Sequence, residues 1–272
     1  MLERIARVGR HAALTAGALL RHNYYKPHEV TMKGAIDPVT DSDLMAQELI
    51  MGLIHQAFQE HDFLAEEDVA EPAASMEAQP GQPLTGHPAL PCRWIIDPLD
   101  GTVNFAHGFP MFCVSIAAEL NRELVYGAVY DPLRDELFEA VQGQGATLNS
   151  RPLRVSATAS LERALLATGF PYDIRQRLPE TLARMGRVLN AAQGLRRAGA
   201  AALDMAYVAA GRLDGFFEEK LKPWDTAAGI LLIAEAGGVI TTFNGAPYHL
   251  HSLTILASNG LLHEAIAALL GP

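Results

Sequence analysis

Apolar residues recur at helical spacing over the first two dozen positions, with Leu2, Ile5, Val8 and Leu19 set among arginines. This predicts an amphipathic helix from Leu2 to about Tyr24. A second helix is predicted from about Leu44 to Gln59, capped by Ser42 or Asp43. The period then shortens. Asp62 to Ala65 reads as a short strand, and Trp94-Ile95-Ile96 as a buried one. Phe112 to Leu120, Val125 to Tyr130 and Glu136 to Val141 are β-rich runs joined by Asn121-Arg122 and Asp131-Pro132, an antiparallel meander. Gly143-Gln144-Gly145 is a turn before a further strand.

Beyond it, strands and helices alternate. A strand over 164–168 precedes a helix from Arg175 to Asn190. Arg197 to Ala201 opens a small-residue helix through Ala210, and Leu213 to Glu218 is a strand. A helix from Pro223 to Ala236 is stopped by Gly237-Gly238, and a strand near Thr254 to Ala257 precedes a last helix from Leu261 to Leu270. The pattern predicts layered α and β elements around one continuous core. It is a single domain over 1–272, with an N-terminal α+β half to about 155 and a C-terminal α/β half from about 156. Asp68 to Pro91, rich in Pro, Gly, Ala and Gln without apolar period, is expected to be a surface excursion.

Of the 272 residues, 49% are hydrophobic and 19% charged, which suits a globule and not a disordered chain. No apolar run approaches the ~20 residues of a membrane span. Arg4, Arg7 and Arg10 faintly imitate an export signal, but Glu3 and the amphipathic spacing break the likeness. Cys92 and Cys113 make no disulfide framework and no zinc spacing, so a reducing cytoplasm is expected, with Cys92 an apolar filler. The net charge of −10 argues against broad binding to nucleic acid or to anionic membranes. It equally opposes an anionic substrate unless cations reverse the local field.

The candidate chemistry lies where the Trp94 strand ends, in Asp97-Pro98-Leu99-Asp100-Gly101-Thr102-Val103-Asn104-Phe105. Pro98 has no N–H and pushes Asp97 away from helical geometry, so the strand is expected to stop there. Gly101 permits close approach of the backbone to a ligand. A helical turn starting beside it would offer free N–H groups to an anion. Two carboxylates next to an anion site repel it and each other, an arrangement that makes sense with cations between them. Each acid also has a plainer reading. Asp97, Asp100 and the acids of the Asp37–Asp43 loop suit turns and caps, Glu66-Glu67 suits a solvated loop edge, and Asp225 suits the first turn of a helix behind Pro223. Arg175, Arg177, Arg184 and Arg187 read as a solvated face or a subunit contact, with phosphate binding as the lesser alternative.

Taken together, Trp94–Phe105, Trp224-Asp225-Thr226-Ala227-Ala228-Gly229 and Glu235-Ala236-Gly237-Gly238 resemble the inositol monophosphatase family, within the group that includes fructose-1,6-bisphosphatases. Glu66-Glu67 and Asp37-Pro38-Val39-Thr40 follow in the expected order, and the resemblance spans nearly the whole chain. It departs at the long Asp68–Pro91 excursion, and at Ala200, where many members carry Ser or Thr. The resemblance implies an αβαβα sandwich and a Mg²⁺-dependent phosphatase with two or three ions, Mn²⁺ being a possible substitute. It implies Glu66, Asp97, Asp100 and Asp225 as metal ligands with the Leu99 carbonyl, and Thr102 with Asp43 preparing the attacking water. Gly101, Thr102, Gly199, Ala201, Glu218 and Asp225 would contact the substrate, with Glu219 or Lys220 as alternatives to Glu218 at the strand end. An all-oxygen donor set suits Mg²⁺ or Mn²⁺ better than zinc. The implied substrate is an inositol monophosphate or similar small polyol phosphate. Fructose 1,6-bisphosphate, histidinol phosphate and 3′-phosphoadenosine phosphate are alternatives, as is a regulatory role on transcription or ribosome machinery. A cytoplasmic homodimer without membrane or direct nucleic-acid contact completes the expectation.

Overall fold

The computed structural model describes residues 1–33, 38–68 and 92–271. The chain opens with α1 (Leu2–Asn23), the two-stranded ribbon β1 (Val30–Met32) and β2 (Pro38–Thr40), and α2 (Asp41–Ala57). A seven-stranded sheet follows in sequence order. It comprises β3 (Asp62–Ala65), β4 (Arg93–Asp100), β5 (Cys113–Leu120), β6 (Glu123–Asp131), β7 (Glu136–Val141), β8 (Ala146–Leu148) and β9 (Arg151–Pro152), with the short α3 (Thr102–Ala106) between β4 and β5. β3 pairs parallel with β4, and every other pair is antiparallel.

The remaining elements are β10 (Leu165–Thr168), α4 (Leu178–Ala191), β11 (Gly194–Arg196), α5 (Ala201–Ala209), β12 (Gly215–Glu219), α6 (Pro223–Glu235), β13 (Val239–Thr241), β14 (Thr254–Ser258) and α7 (His263–Leu270). Their strands form a second sheet in the order β11-β10-β12-β14-β13.

Strand alternation sorts the apolar residues into layers. Trp94, Ile96, Ile116 and Tyr126 face α1 and α2, whereas Ile95, Ala117, Val129 and Phe138 on the opposite face meet α5 and α6. Those two helices also cover Ala167, Phe216 and Ala257 of the second sheet, whose other face buries Leu166, Phe217 and Leu256 against α4 and α7. The result is the expected αβαβα stack. Close approach of α1 needs glycine: a Cβ on Gly17 would stand 2.3 Å from the Tyr130 ring, and one on Gly9 2.2 Å from Tyr126.

Several boundaries differ from the sequence reading. α2 begins at Asp41 and its cap is Thr40, whose N–H and hydroxyl both reach the Asp43 carboxylate in a capping box. β4 continues through Pro98 to Asp100, its register shifting between Asp97 and Asp100 because Pro98 cannot donate to the ladder. The helix expected from Arg175 starts at Leu178, since Pro179 is tolerated only in a first turn; Ile174–Gln176 is a separate 3₁₀ turn. α5 starts at Ala201, because Gly199 (φ +88°) and the extended Ala200 interrupt a helix opened at Arg197. β1, β9, β11 and β13 have two or three residues each, too few to carry a readable period. Asp37 and nearly all of the expected Asp68–Pro91 excursion lie outside the described residues.

Candidate active site

The end of β4 builds the centre of the site. Asp97, only 2% exposed, turns one oxygen to the Leu99 N–H at 3.1 Å. Gly101 takes φ +95°, and a Cβ there would stand 2.8 Å from the Met111 carbonyl, so only glycine fits. α3 starts at Thr102, leaving the N–H groups of its first turn without helical acceptors. The Thr102 hydroxyl lies 2.9 Å from Asp43 Oδ1 and 3.0 Å from the Leu99 carbonyl, two acceptors for one proton. Asp43 is fully buried behind it.

The second half of the chain closes over this centre. Asp100 receives the N–H groups of Ala201 (3.2 Å) and Ala202 (2.8 Å), so a residue of the first sheet caps α5, which has no side-chain cap of its own. Asp225 is the third residue of α6 and accepts from the Lys222 N–H at 2.6 Å. Glu66 follows β3 in a 3₁₀ turn, 3.1 Å from Lys33 Nζ, which also reaches Glu67 at 2.6 Å. Asn104 donates to the carbonyls of Met111 (2.7 Å) and Ala198 (2.9 Å), pinning the 197–200 loop against α3.

Every predicted site residue except Asp43 lines one cleft of about 240 Å³: Glu66, Asp97, Leu99, Asp100, Gly101, Thr102, Gly199, Ala201, Glu218 and Asp225. Asp43 lies behind the cleft and accepts from the Thr102 hydroxyl. Of the strand-end candidates, Glu218 is buried with its carboxyl against Gly169 and facing the acid cluster. Glu219 and Lys220 line the cleft as well, but their charges are engaged within the chain, Glu219 with Arg184 at 2.6 Å and Arg177 at 3.3 Å and Lys220 with Asp173. The arginine face is thus partly spent within the chain, Arg184 and Arg187 also binding the carbonyls of Leu269, Leu270 and Gly271.

Burial drives the acids toward their neutral forms. It pushes Asp43 and Asp100 up to about 6 and Glu66 to about 7, in Glu66 against the pull of Lys33. Asp97 rises further, through burial and then repulsion from Glu66, Asp100 and Asp225, and Asp225 and Glu218 are raised in the same way. Among the described residues, no three His, Cys, Asp or Glu side chains are gathered tightly enough to hold an ion as they stand. Each carboxylate is turned instead to a donor of its own chain: Leu99 N–H, the α5 amides, Lys222 N–H or Lys33. The donor set nevertheless fits a hard cation, since it is all oxygen and holds buried negative charges whose largest mutual effect is repulsion.

Four residues of this region escaped the sequence reading: Lys33, Asn104, Arg197 and Asp204, all but Asn104 charged. Asn104 lay inside the quoted Trp94–Phe105 motif without a role of its own, and Asp204 carried a signal as an acid inside the otherwise apolar run Ala201-Ala202-Leu203-Asp204-Met205-Ala206. Glu235, part of the motif Glu235-Ala236-Gly237-Gly238, lies elsewhere and is architectural, binding the N–H groups of Gly143 and Gly145, each at 2.7 Å.

Known proteins share the sequence pattern and the fold. A sequence model described as "Inositol monophosphatase family" matches residues 1–271. The chain is 41% identical over 261 residues to an inositol-1-monophosphatase of Synechocystis, covering 96% of this chain and 86% of that protein. It is 40% identical over 259 residues to the Nus factor SuhB of Escherichia coli, covering 94% and 92%. The crystal structure of the extragenic suppressor protein suhB from Bartonella henselae superposes with a TM-score of 0.87 at 39% identity over 98% of both chains.

Proposed function

The chain belongs to the inositol monophosphatase family and is a phosphate monoester hydrolase of that metal-dependent family; we propose that its substrate is an inositol monophosphate and its metal Mg²⁺. The observation that carries the reading is that Glu66, Asp97, Asp100 and Asp225, from distant parts of the sequence, line one cleft beside the Thr102–Asp43 pair. Glu66, Asp97, Asp100, Asp225 and the Leu99 carbonyl would hold two or three Mg²⁺ ions, or Mn²⁺ in their place. When bound, the ions supply charge neutralisation at the phosphate and a water acidic enough to react near neutral pH.

The chain's own groups do the rest. The Thr102 hydroxyl takes a proton from the attacking water as it passes its own to Asp43, whose carboxyl, up at about 6, is mostly ionised at pH 7 yet basic enough to accept. The N–H groups of Gly101 and Thr102 hold the phosphate at the start of α3. Gly199, Ala201 and Glu218 face the alcohol, and Ala200 offers it no hydroxyl. Phosphate monoesters react so slowly unaided that enzymes supply up to ~10²¹-fold, which positioning and charge must provide here.

The reading extends to a cytoplasmic homodimer acting without membrane or direct nucleic-acid contact. The homodimer is carried over from the family resemblance; the rest is supported by the net charge of −10, two free buried cysteines, and the absence from the described residues of any helix long and apolar enough to cross a membrane. The test is phosphate release from inositol 1-phosphate, fructose 1,6-bisphosphate, histidinol phosphate and 3′-phosphoadenosine phosphate, with Mg²⁺ and with EDTA. Inositol 1-phosphate is expected to be cleaved fastest, and chelation to abolish turnover; faster release from another ester reassigns the substrate. The Nus-factor name of one relative motivates a second reading, a regulatory contact with transcription or ribosome machinery. Retention of that cellular role by an Asp97→Asn variant would separate it from hydrolysis.

A further inference from the structure

Besides Glu218 and the arginine-paired Glu219, one further acid lining the cleft has no part in holding metal or preparing water. Asp204, in the first turn of α5, is 2% exposed yet lines the cleft with Glu218. Among the described residues its carboxyl has no hydrogen-bond partner, and the charges it faces are Asp100 and Arg197. Burying a carboxyl without a partner is costly, so a chain that keeps one facing a cleft gains something other than stability.

Arg197 stands opposite. Its guanidinium lies across Gly199, where a Cβ would be 2.6 Å from Nη1, and its Cζ is 5.4 Å from the centre of the Phe170 ring. It faces both Asp204 and Glu218 and forms an ion pair with neither among the described residues. A carboxyl accepts hydrogen bonds through its carbonyl oxygen in either protonation state, and a guanidinium only donates them. A group placed between the two satisfies both by donating to one and accepting from the other, which is what an alcohol hydroxyl does. A second phosphate would instead meet two buried acids.

We propose that Asp204, with Arg197 opposite it, binds a hydroxyl of the leaving alcohol remote from the phosphate, and so selects uncharged polyols as leaving groups. This rests on the hydrolase reading above and adds to it a specificity residue outside the metal-holding set. Asp204 touches the alcohol and no reacting atom, so its removal leaves the phosphate end intact.

The experiment compares wild type with Asp204→Asn and Asp204→Leu on inositol 1-phosphate and on 4-nitrophenyl phosphate, whose leaving group has no further hydroxyl. Inhibition by inorganic phosphate reports on the phosphate end. For inositol 1-phosphate, KM is expected to rise about three- to tenfold in Asp204→Asn, which keeps a neutral acceptor, and about ten- to a hundredfold in Asp204→Leu. KM for the aryl ester and the inhibition constant of phosphate should stay within about twofold. The melting temperature of Asp204→Leu should not fall, since a buried unpartnered acid is gone. Equal KM changes on both substrates, or none, overturn the proposal, as does a fall in melting temperature with loss on both. If Asp204→Leu does not fold, the KM values of Asp204→Asn on the same two substrates decide between these outcomes. A wild type that cleaves the aryl ester and no polyol phosphate overturns both this proposal and the reading it rests on. Wild-type cleavage of inositol 1-phosphate with an indifferent Asp204 overturns the proposal only.

Discussion

Asp97 and Asp100 look equivalent in the sequence and are not equivalent in the fold. Asp100 is held by two α5 amides, whereas Asp97 has only the Leu99 N–H against four repelling acids, Glu66, Asp100, Asp225 and Asp43. In metal-free protein, Asp97→Asn should therefore raise the melting temperature by a few degrees. Asp100→Asn should raise it less or lower it, because one amide then faces an NH₂ group. Both should lose at least about a hundredfold in kcat at saturating Mg²⁺; scanning calorimetry with EDTA and steady-state kinetics check the pair, and near-normal turnover in either variant would remove it from the ligand set. Thr102 and Asp43 should act as a unit, so the double variant should lose little more kcat than the worse single one. Multiplicative losses would mean that the two are uncoupled. Asp97 and Asp100 were legible as a pair beside Pro98 and Gly101, whereas Glu66, Asp43 and Asp225 each had a plainer local reading and joined the centre only through the family resemblance. Asn104 and Arg197 were not legible, since their meaning lies in contacts between segments almost a hundred residues apart, as with Asn104 and Ala198.

At the scale of elements, α1 and α2 differ in how their glycines are used. Gly17 of α1 is a notch for Tyr130, so Gly17→Ala should cost about 1–3 kcal/mol despite the better helix propensity of alanine. Gly52 of α2 has nothing within 4 Å of its would-be Cβ, and Gly52→Ala should stabilise by up to about 1 kcal/mol. Urea unfolding of both variants measures the two signs side by side. The long helices and the meander could be read from periodicity, because each repeats its pattern several times. What failed were junctions. The α2 cap fell on Thr40, not on Ser42 or Asp43, since Asp43 serves as the reciprocal acceptor. α5 lost its first turn to a glycine at positive φ, which no apolar period reports.

On the scale of the whole molecule, the acid cluster ties stability to pH and to metal. Asp43, Asp100 and Glu66 titrate near 6 to 7 in the folded chain and near 4 when unfolded. Because the folded pKa is raised, their contribution is fully present below about pH 4 and is lost as pH rises through 6 to 7. Metal-free protein should thus melt several degrees lower at pH 8 than at pH 5, and Mg²⁺ should restore more at pH 8. A flat profile in EDTA, or equal rescue at both values, would show that the acids do not repel as their burial implies. The stacking order has a further result, for a chain made from its N-terminus onward. The strands of the first sheet are complete by Pro152, but the helices that cover their inner face, α5 and α6, end only at Ala209 and Glu235. At roughly 5–20 residues per second, Ile95, Ala117, Val129 and Phe138 wait several seconds for their lid during synthesis. A nascent chain halted between these points should bind hydrophobic-surface chaperones, and one released beyond Glu235 should not.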